Sequence, residues 1–206
     1  MDGSPILSND LLVEPRINVV ILSMDAHLEG PVRAAERELR REIPGLSIKL
    51  HPATDWERDD QRRERVLRNI DSAHIIVAGM LFLEEQIEPI LPALQARATH
   101  PDCDAFAGAL SGPEVVKLTR LGKFRMDKPQ NGAVGLLKRL RGSSKGSPKA
   151  GEGQAKILRR LPKILKYIPG TAQDLRTYFL ALQDWLGGSD ENIRNLVAAL
   201  VDRYSA

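Results

Sequence analysis

The stretch Ser111-Gly112-Pro113-Glu114-Val115-Val116-Lys117-Leu118-Thr119-Arg120-Leu121-Gly122-Lys123-Phe124-Arg125-Met126 divides the chain into two styles. Before it, short apolar runs alternate with helical patterns. After it come a low-complexity basic segment and then helical patterns only. The stretch itself reads as a helix. Ser111 can cap it, Pro113 suits its first turn, and Glu114 stands three residues after Ser111 as in a capping box. Val115, Leu118 and Leu121 recur every third residue, while Lys117, Arg120 and Lys123 share another side. Gly122 is the expected stop.

Working back from this joint, three stronger strand signals and one weaker one appear. Ile17–Met24 is an apolar, β-branched run that reads as a strand buried on both faces. Leu28, Val32, Ala35, Leu39 and Ile43 keep helical spacing up to Pro44-Gly45. Leu46–Leu50 alternates as an edge strand would. Thr54 and Glu57 form a second capping box at the head of a charged helix running to Ile70. Ala73–Gly79 is the next buried strand. Leu83, Ile87, Ile90, Leu91 and Leu94 mark a helix that Pro89 and Pro92 bend or shorten. Asp104–Leu110 is the weaker strand, with small residues that admit close helix packing. Strands alternating with helical crossovers predict an α/β domain over residues 16–126. Its flavodoxin-like parallel sheet has about four strands in the order 2-1-3-4.

Outside that domain, residues 1–15 read as a flexible arm and 127–151 as a mobile basic loop. Residues 152–206 form a helical segment packing on the α/β domain. Within it, Leu175, Tyr178, Phe179, Leu182 and Leu186 are one expected core stripe. Ile193, Leu196, Val197, Leu200 and Tyr204 are another. Gly187-Gly188 separates them, and Ser189 caps the last helix.

Composition excludes several classes. The chain has 206 residues and an ordinary 42% hydrophobic share. No apolar run reaches the roughly 18–20 residues of a membrane span. The polar, acidic N-terminus lacks the pattern of a secretory signal. One cysteine, Cys103, forms no internal disulfide and suits a reducing compartment. The net charge of +3 hides an asymmetry: residues 117–166 carry fifteen Lys or Arg against two acids. Such a segment can meet an anion, an acidic partner or a membrane surface, or it can equally be a solvated linker and helix face opposite the acidic remainder of the chain. It has few aromatics to stack bases and no nucleic-acid motif.

Catalytic motifs are equally sparse. The loop after the first strand, Asp25–Gly30, is not a dinucleotide fingerprint, and no Walker lysine motif occurs. The four histidines lack ligand spacing, so no metal site is expected. Ligands of open α/β sheets favour the crevice beyond the strands' carboxyl ends. That rim would hold Asp25, His27, Gly79, Met80, Ser111 and Glu114. Asp25 and His27 could act as an acid/base pair of a small α/β enzyme. The simpler reading makes Asp25 a turn cap and His27 an exposed loop residue. Phe124 and Met126, alternating with Lys123 and Arg125, could clamp a flat anion by stacking and charge. The simpler reading makes them a hydrophobic anchor in a solvated segment.

Several blocks together resemble a known family. They are Glu114-Val115 with Leu118, Leu121-Gly122, Phe124 and Met126; Leu161–Pro169; Ala172-Gln173-Asp174; and Leu182–Ser189. They occur in order and are similar to the N-terminal region of the large H subunit of magnesium chelatase, the likeness running from about Ile17 to Tyr204. The resemblance implies a subunit that binds protoporphyrin IX. Two AAA+ ATPase partner subunits then support ATP-dependent Mg2+ insertion in chlorophyll and bacteriochlorophyll biosynthesis. The chain would be a small, non-catalytic N-terminal fragment of it, with no cofactor of its own. Its expected partners are the remainder of the H subunit, the AAA+ subunits and protoporphyrin IX. Its expected place is the cytoplasm or plastid stroma, including a membrane-peripheral position. No catalytic residue carries over. The candidate contacts for porphyrin or a partner are Glu114, Lys117, Arg120, Lys123, Phe124, Arg125 and Met126. The candidate basic docking face is Lys156, Arg159, Arg160 and Lys163. A stand-alone interaction module is the alternative.

Overall fold

A computed structural model describes residues 17–24, 26–127 and 171–205. In chain order the elements are β1 (Ile17–Ser23), α1 (Glu29–Leu39), β2 (Leu46–Pro52), α2 (Thr54–Glu57), α3 (Asp60–Asp71), β3 (Ile75–Gly79), α4 (Glu84–Ile87), α5 (Leu91–Thr99), β4 (Ala105–Ala109), α6 (Pro113–Val116), β5 (Arg120–Leu121), β6 (Phe124–Arg125), α7 (Thr171–Gly187) and α8 (Asp190–Tyr204). The sheet order is β2-β1-β3-β4-β5-β6. Its first four strands are parallel and follow the expected 2-1-3-4 order, with Ile21 opposite Leu50 and Val77, and Val77 opposite Ala107.

Strand residues alternate between two apolar layers, as the period of two requires. Val19, Ile21, Ile75, Val77, Ala105 and Ala107 face a layer made by α1, α7 and α8. Val20, Leu22, Ile76, Ala78 and Phe106 face a layer that includes Trp56, Val66, Ile70, Ile90 and Leu94. On α1 the expected stripe of Leu28, Val32, Ala35 and Leu39 is buried throughout. On α8, Ile193, Leu196, Val197, Leu200 and Val201 are at most 1% exposed. Burying a side chain of this size contributes about 1.5–3 kcal/mol. The α8 stripe alone is therefore comparable to the roughly 5–15 kcal/mol by which whole domains are stable. The C-terminal helices are part of the core.

The stretch 111–126 departs from its expected form. Only Pro113–Val116 is helical, and β5 and β6 then form an antiparallel hairpin on the edge of β4. No capping box forms at its head. Gly112 is the N-cap, and Ser111 turns its hydroxyl to neighbouring backbone instead. Tertiary bonds account for the early stop. Gly108 N donates to the Thr119 hydroxyl at 3.1 Å, and that hydroxyl also donates to Gly108 O at 3.3 Å. This clips the chain to β4 where a helix would continue. Gly122 is the first residue of the two-residue loop and has φ +55°, as a II′ turn needs. A side chain there would lie 2.8 Å from Asp174 Oδ2.

Other local signals were also displaced. Thr54 is the first residue of α2 with no side-chain cap, and the charged helix is broken. Asp59 caps its second part by accepting from Arg62 N. Pro89 lies in the break between α4 and α5, as its missing donor predicts. Leu186 is 61% exposed, and Trp185, 3% exposed, takes the core position. The Trp185 indole lies so close to Gly79 that a β-carbon there would sit 2.4 Å from it. Gly79→Ala is therefore expected to cost about 1–3 kcal/mol by overpacking, read as a lower urea midpoint. An unchanged midpoint would show that α7 is not held tightly against β3.

Candidate functional site

At the carboxyl end of the sheet, β3 and β4 leave through a shared backbone feature. Met80 and Leu110, the first residues past the two strands, have φ of 61° and 48°. A left-handed conformation costs a non-glycine residue about 1–2 kcal/mol, so surrounding bonds must hold it. Met80 N donates to Ala109 O at 3.1 Å, and Gly112 N donates to Leu81 O at 2.8 Å. The Ser111 hydroxyl accepts from Leu81 N at 3.1 Å and lies 3.1 Å from Ala109 O, to which it donates. Buried Gln86 accepts from Phe82 N and Leu83 N through Oε1, at 3.3 and 3.4 Å. Its main-chain carbonyl accepts from the Trp56 indole at 2.8 Å. Two strand-end loops are thus tied into one platform.

The platform presents apolar side chains. Among the described residues, the exposed large hydrophobics are Phe82, Leu83, Leu110 and Leu186. The first three lie on the tied loops, and Leu186 follows the Trp185 that covers Gly79. Of the rim residues expected from sequence, Gly79, Met80 and Ser111 build this platform, and Glu114 is exposed beside it. His27 is exposed in the turn after β1. Asp25 lies outside the described residues, so the acid/base pairing has no geometry to stand on.

Among the described residues, the basic and aromatic candidates of 117–126 differ in exposure. Phe124 is fully buried and its ring centroid lies 5.8 Å from that of Tyr178, so the stacking clamp is closed to a ligand. It is the hydrophobic anchor instead, with Met126 half-buried against the same core. The Arg120 guanidinium donates to Cys103 O, which turns it inward to the sheet. Lys117 and Lys123 are exposed, whereas Arg125 is half-buried. Lys156, Arg159, Arg160 and Lys163 lie outside the described residues.

A residue that sequence reasoning passed over organises this region. Asp174, 5% exposed, accepts from Lys123 N at 2.9 Å and from Arg203 Nε and Nη2 at 3.0 and 2.8 Å. It also accepts from the Tyr204 hydroxyl at 3.2 Å. One carboxylate thereby joins the β5–β6 turn to α8. The sequence signal for Asp174 was only its place in an unusual block, because an acid at a helix start ordinarily reads as a dipole partner. The nearby Tyr178 hydroxyl donates to Gly108 O at 3.0 Å, and burial pushes its pKa up to about 12.

Reactive groups elsewhere are held in unreactive states. Burial pushes the Cys103 thiol up, against the pull of Arg120, so it is not poised as a thiolate. A cleft of about 350 Å³ is lined by Leu50, His51, Asp55, Arg62 and Arg65. His51 Nδ1 is 3.6 Å from Asp55, and Arg62 pairs with Asp55 and Asp59. Burial holds the His51 imidazole below its usual range, overcoming the raising effect of Asp55. Among the described residues no three metal-ligating side chains cluster, and no helix is long and apolar enough to cross a membrane.

Comparison with known proteins gives consistent matches. The family model described as "Domain of unknown function (DUF3479)" matches residues 18–179. The chain is 43% identical over 192 residues to the magnesium-chelatase H subunit of Cereibacter sphaeroides, covering 93% of this chain and 16% of that relative. It is 40% identical over 188 residues to the magnesium-chelatase H subunit of Rhodobacter capsulatus, covering 91% and 16%. Against the chloroplastic magnesium-chelatase ChlH subunit of Oryza sativa subsp. japonica, identity is 31% over 197 residues, covering 92% and 14%. The chain thus spans about a sixth of the length of the first two relatives.

His51 supplies a test of the cleft. Its folded pKa lies below the unfolded value of 6.5, so below about pH 6.5 the unfolded chain binds the extra proton. This contribution to stability is present above that pH and is lost as the pH falls. Urea midpoints measured from about pH 7 to 5.5 should fall less steeply for His51→Gln than for the parent chain. Parallel profiles would show that His51 titrates alike in both states.

Proposed function

The chain belongs to the DUF3479 family, as the N-terminal domain of a magnesium-chelatase H subunit, and from that premise we propose that it packs on the subunit's porphyrin-binding body and gates access to it, without catalysing a step itself. In this reading the parent subunit binds protoporphyrin IX, and Mg2+ enters the macrocycle while two AAA+ partner subunits consume ATP. Chlorophyll or bacteriochlorophyll biosynthesis is the setting, in the cytoplasm or a plastid stroma. Protoporphyrin IX and Mg2+ are substrates of the whole complex rather than cofactors of this domain.

The observation that carries the proposal is the similarity of over nine-tenths of the chain to subunits so named, at 40–43% identity. Geometry favours packing over chemistry. Ser111 and Gln86, which tie the rim's loops, are already bonded to backbone, and the exposed side chains between them, Phe82, Leu83 and Leu110, are apolar. Direct capture of porphyrin at 117–126 is disfavoured because Phe124 is in the core and Arg120 is turned inward.

Fluorescence titration with a soluble porphyrin tests the role. The isolated chain should give no saturable quenching at low or high salt. Removing it from the whole H subunit should leave porphyrin affinity nearly unchanged but speed porphyrin uptake and release several-fold. Saturable quenching by the isolated chain, lost on Lys117→Ala and Arg125→Ala, would overturn the gating role and place porphyrin binding on this domain.

A further inference from the structure

Three of the four exposed large hydrophobics of the described residues, Phe82, Leu83 and Leu110, stand just past the carboxyl ends of β3 and β4. Scatter is what a solvated surface shows, whereas clustering marks a contact. Phe82, Leu83 and Leu110 are 55%, 49% and 40% exposed. They stand on loops whose exits from β3 and β4 are held left-handed at Met80 and Leu110. Positions 80 and 110 each follow a register pair, Gly79 and Ala109, so the two turns are side by side. Backbone held in such a conformation at neighbouring strand ends points to a surface shaped for use. The Ser111 and Gln86 bonds fix that shape before any partner arrives, which lowers the entropy lost on docking.

Charge and length identify the occupant. Residues 80–88 and 110–116 contain four glutamates and no lysine or arginine. Glu84, Glu85, Glu88 and Glu114 are all exposed. The surface is an apolar centre with an acidic border, and it suits an apolar projection bordered by basic residues. The relatives are about six times longer than the aligned chain, so a domain of this family works beside a much larger body of its own subunit. We infer that the Phe82–Leu83–Leu110 rim is the surface by which this domain docks on the remainder of the H subunit. The glutamates set orientation by pairing with basic residues of that remainder. This rests on the packing role proposed above and assigns it to one end of the sheet.

Hydrogen exchange compares the 206-residue chain alone with the whole H subunit that carries it. Amides within 82–85 and 111–114 should exchange about tenfold more slowly, or slower still, in the whole subunit. Those of α3 should not change. The double variant Phe82→Glu/Leu83→Glu alters exposed positions, so the isolated chain should keep its urea midpoint, while the slowing in the whole subunit is lost. Equal exchange in chain and subunit overturns the inference. Slowing that requires the ATPase subunits, or that grows with concentration of the isolated chain, overturns it in favour of another occupant. Porphyrin uptake rates in the same samples separate the two proposals. Slowing lost in the variant with uptake unchanged supports this docking surface and removes the gating role. Slowing retained in the variant with uptake altered overturns the docking surface and leaves gating in place.

Discussion

Both faces of the parallel sheet are apolar, and a sheet of that kind must be covered twice. The order 2-1-3-4 sends one crossover to β2 and the later ones to β3 and β4. Right-handed connections then place α1 on one face and α2 to α5 on the other. One helix covers one face incompletely, because Ile75, Val77, Ala105 and Ala107 lie beyond the reach of α1. Helices α7 and α8 complete that layer, with α8 packed between α1 and α7. The α/β order of the first half therefore depends on residues from the far end of the chain.

Three contacts fix this long-range closure, each set by a small or buried group. Gly79 leaves room for the Trp185 indole. Tyr178 reaches the backbone of β4 at Gly108. The Asp174 carboxylate gathers the hairpin amide of Lys123 together with Arg203 and Tyr204. Because that carboxylate is buried, its full set of donors matters: an unmatched acid there would be costly. The same closure explains why the Phe124 ring is not open for stacking. Phe124 and Leu121 are needed as cover for the sheet edge, and the hairpin directs Arg120 inward.

Away from the Asp174 junction, the platform of 80–83 and 110–112 is polar in its internal bonds and apolar in its outward side chains. That division suits a protein contact better than proton transfer, which needs an ionisable group with a tuned pKa facing the ligand. Two shifted groups of this molecule, His51 and Cys103, are buried elsewhere and held neutral. Family membership and this surface chemistry are what the packing role proposed above rests on.

The parallel order, the buried strands and the faces of α1 and α8 were legible in the sequence, since Val19, Ile21, Leu28, Val32, Leu196 and Leu200 follow the periods of strand and helix. The family was legible too, in blocks around Leu121-Gly122 and Leu182–Ser189. Local pattern did not reveal the hairpin at 120–125. Val115, Leu118 and Leu121 satisfy a helical period, and only the Thr119 bonds to Gly108 and the Asp174 contact overrule it. Nor did it reveal the apolar rim, because Leu83 and Leu186 read as core positions on their helices. Exposure depends on which neighbour arrives: Trp185 rather than Leu186 meets Gly79. Sequence alone thus determined the periodic elements and their order, because periodicity is a property of neighbouring residues. The tertiary structure decided the hairpin, the Asp174 junction and the exposed rim, because each depends on contacts between residues far apart in the chain.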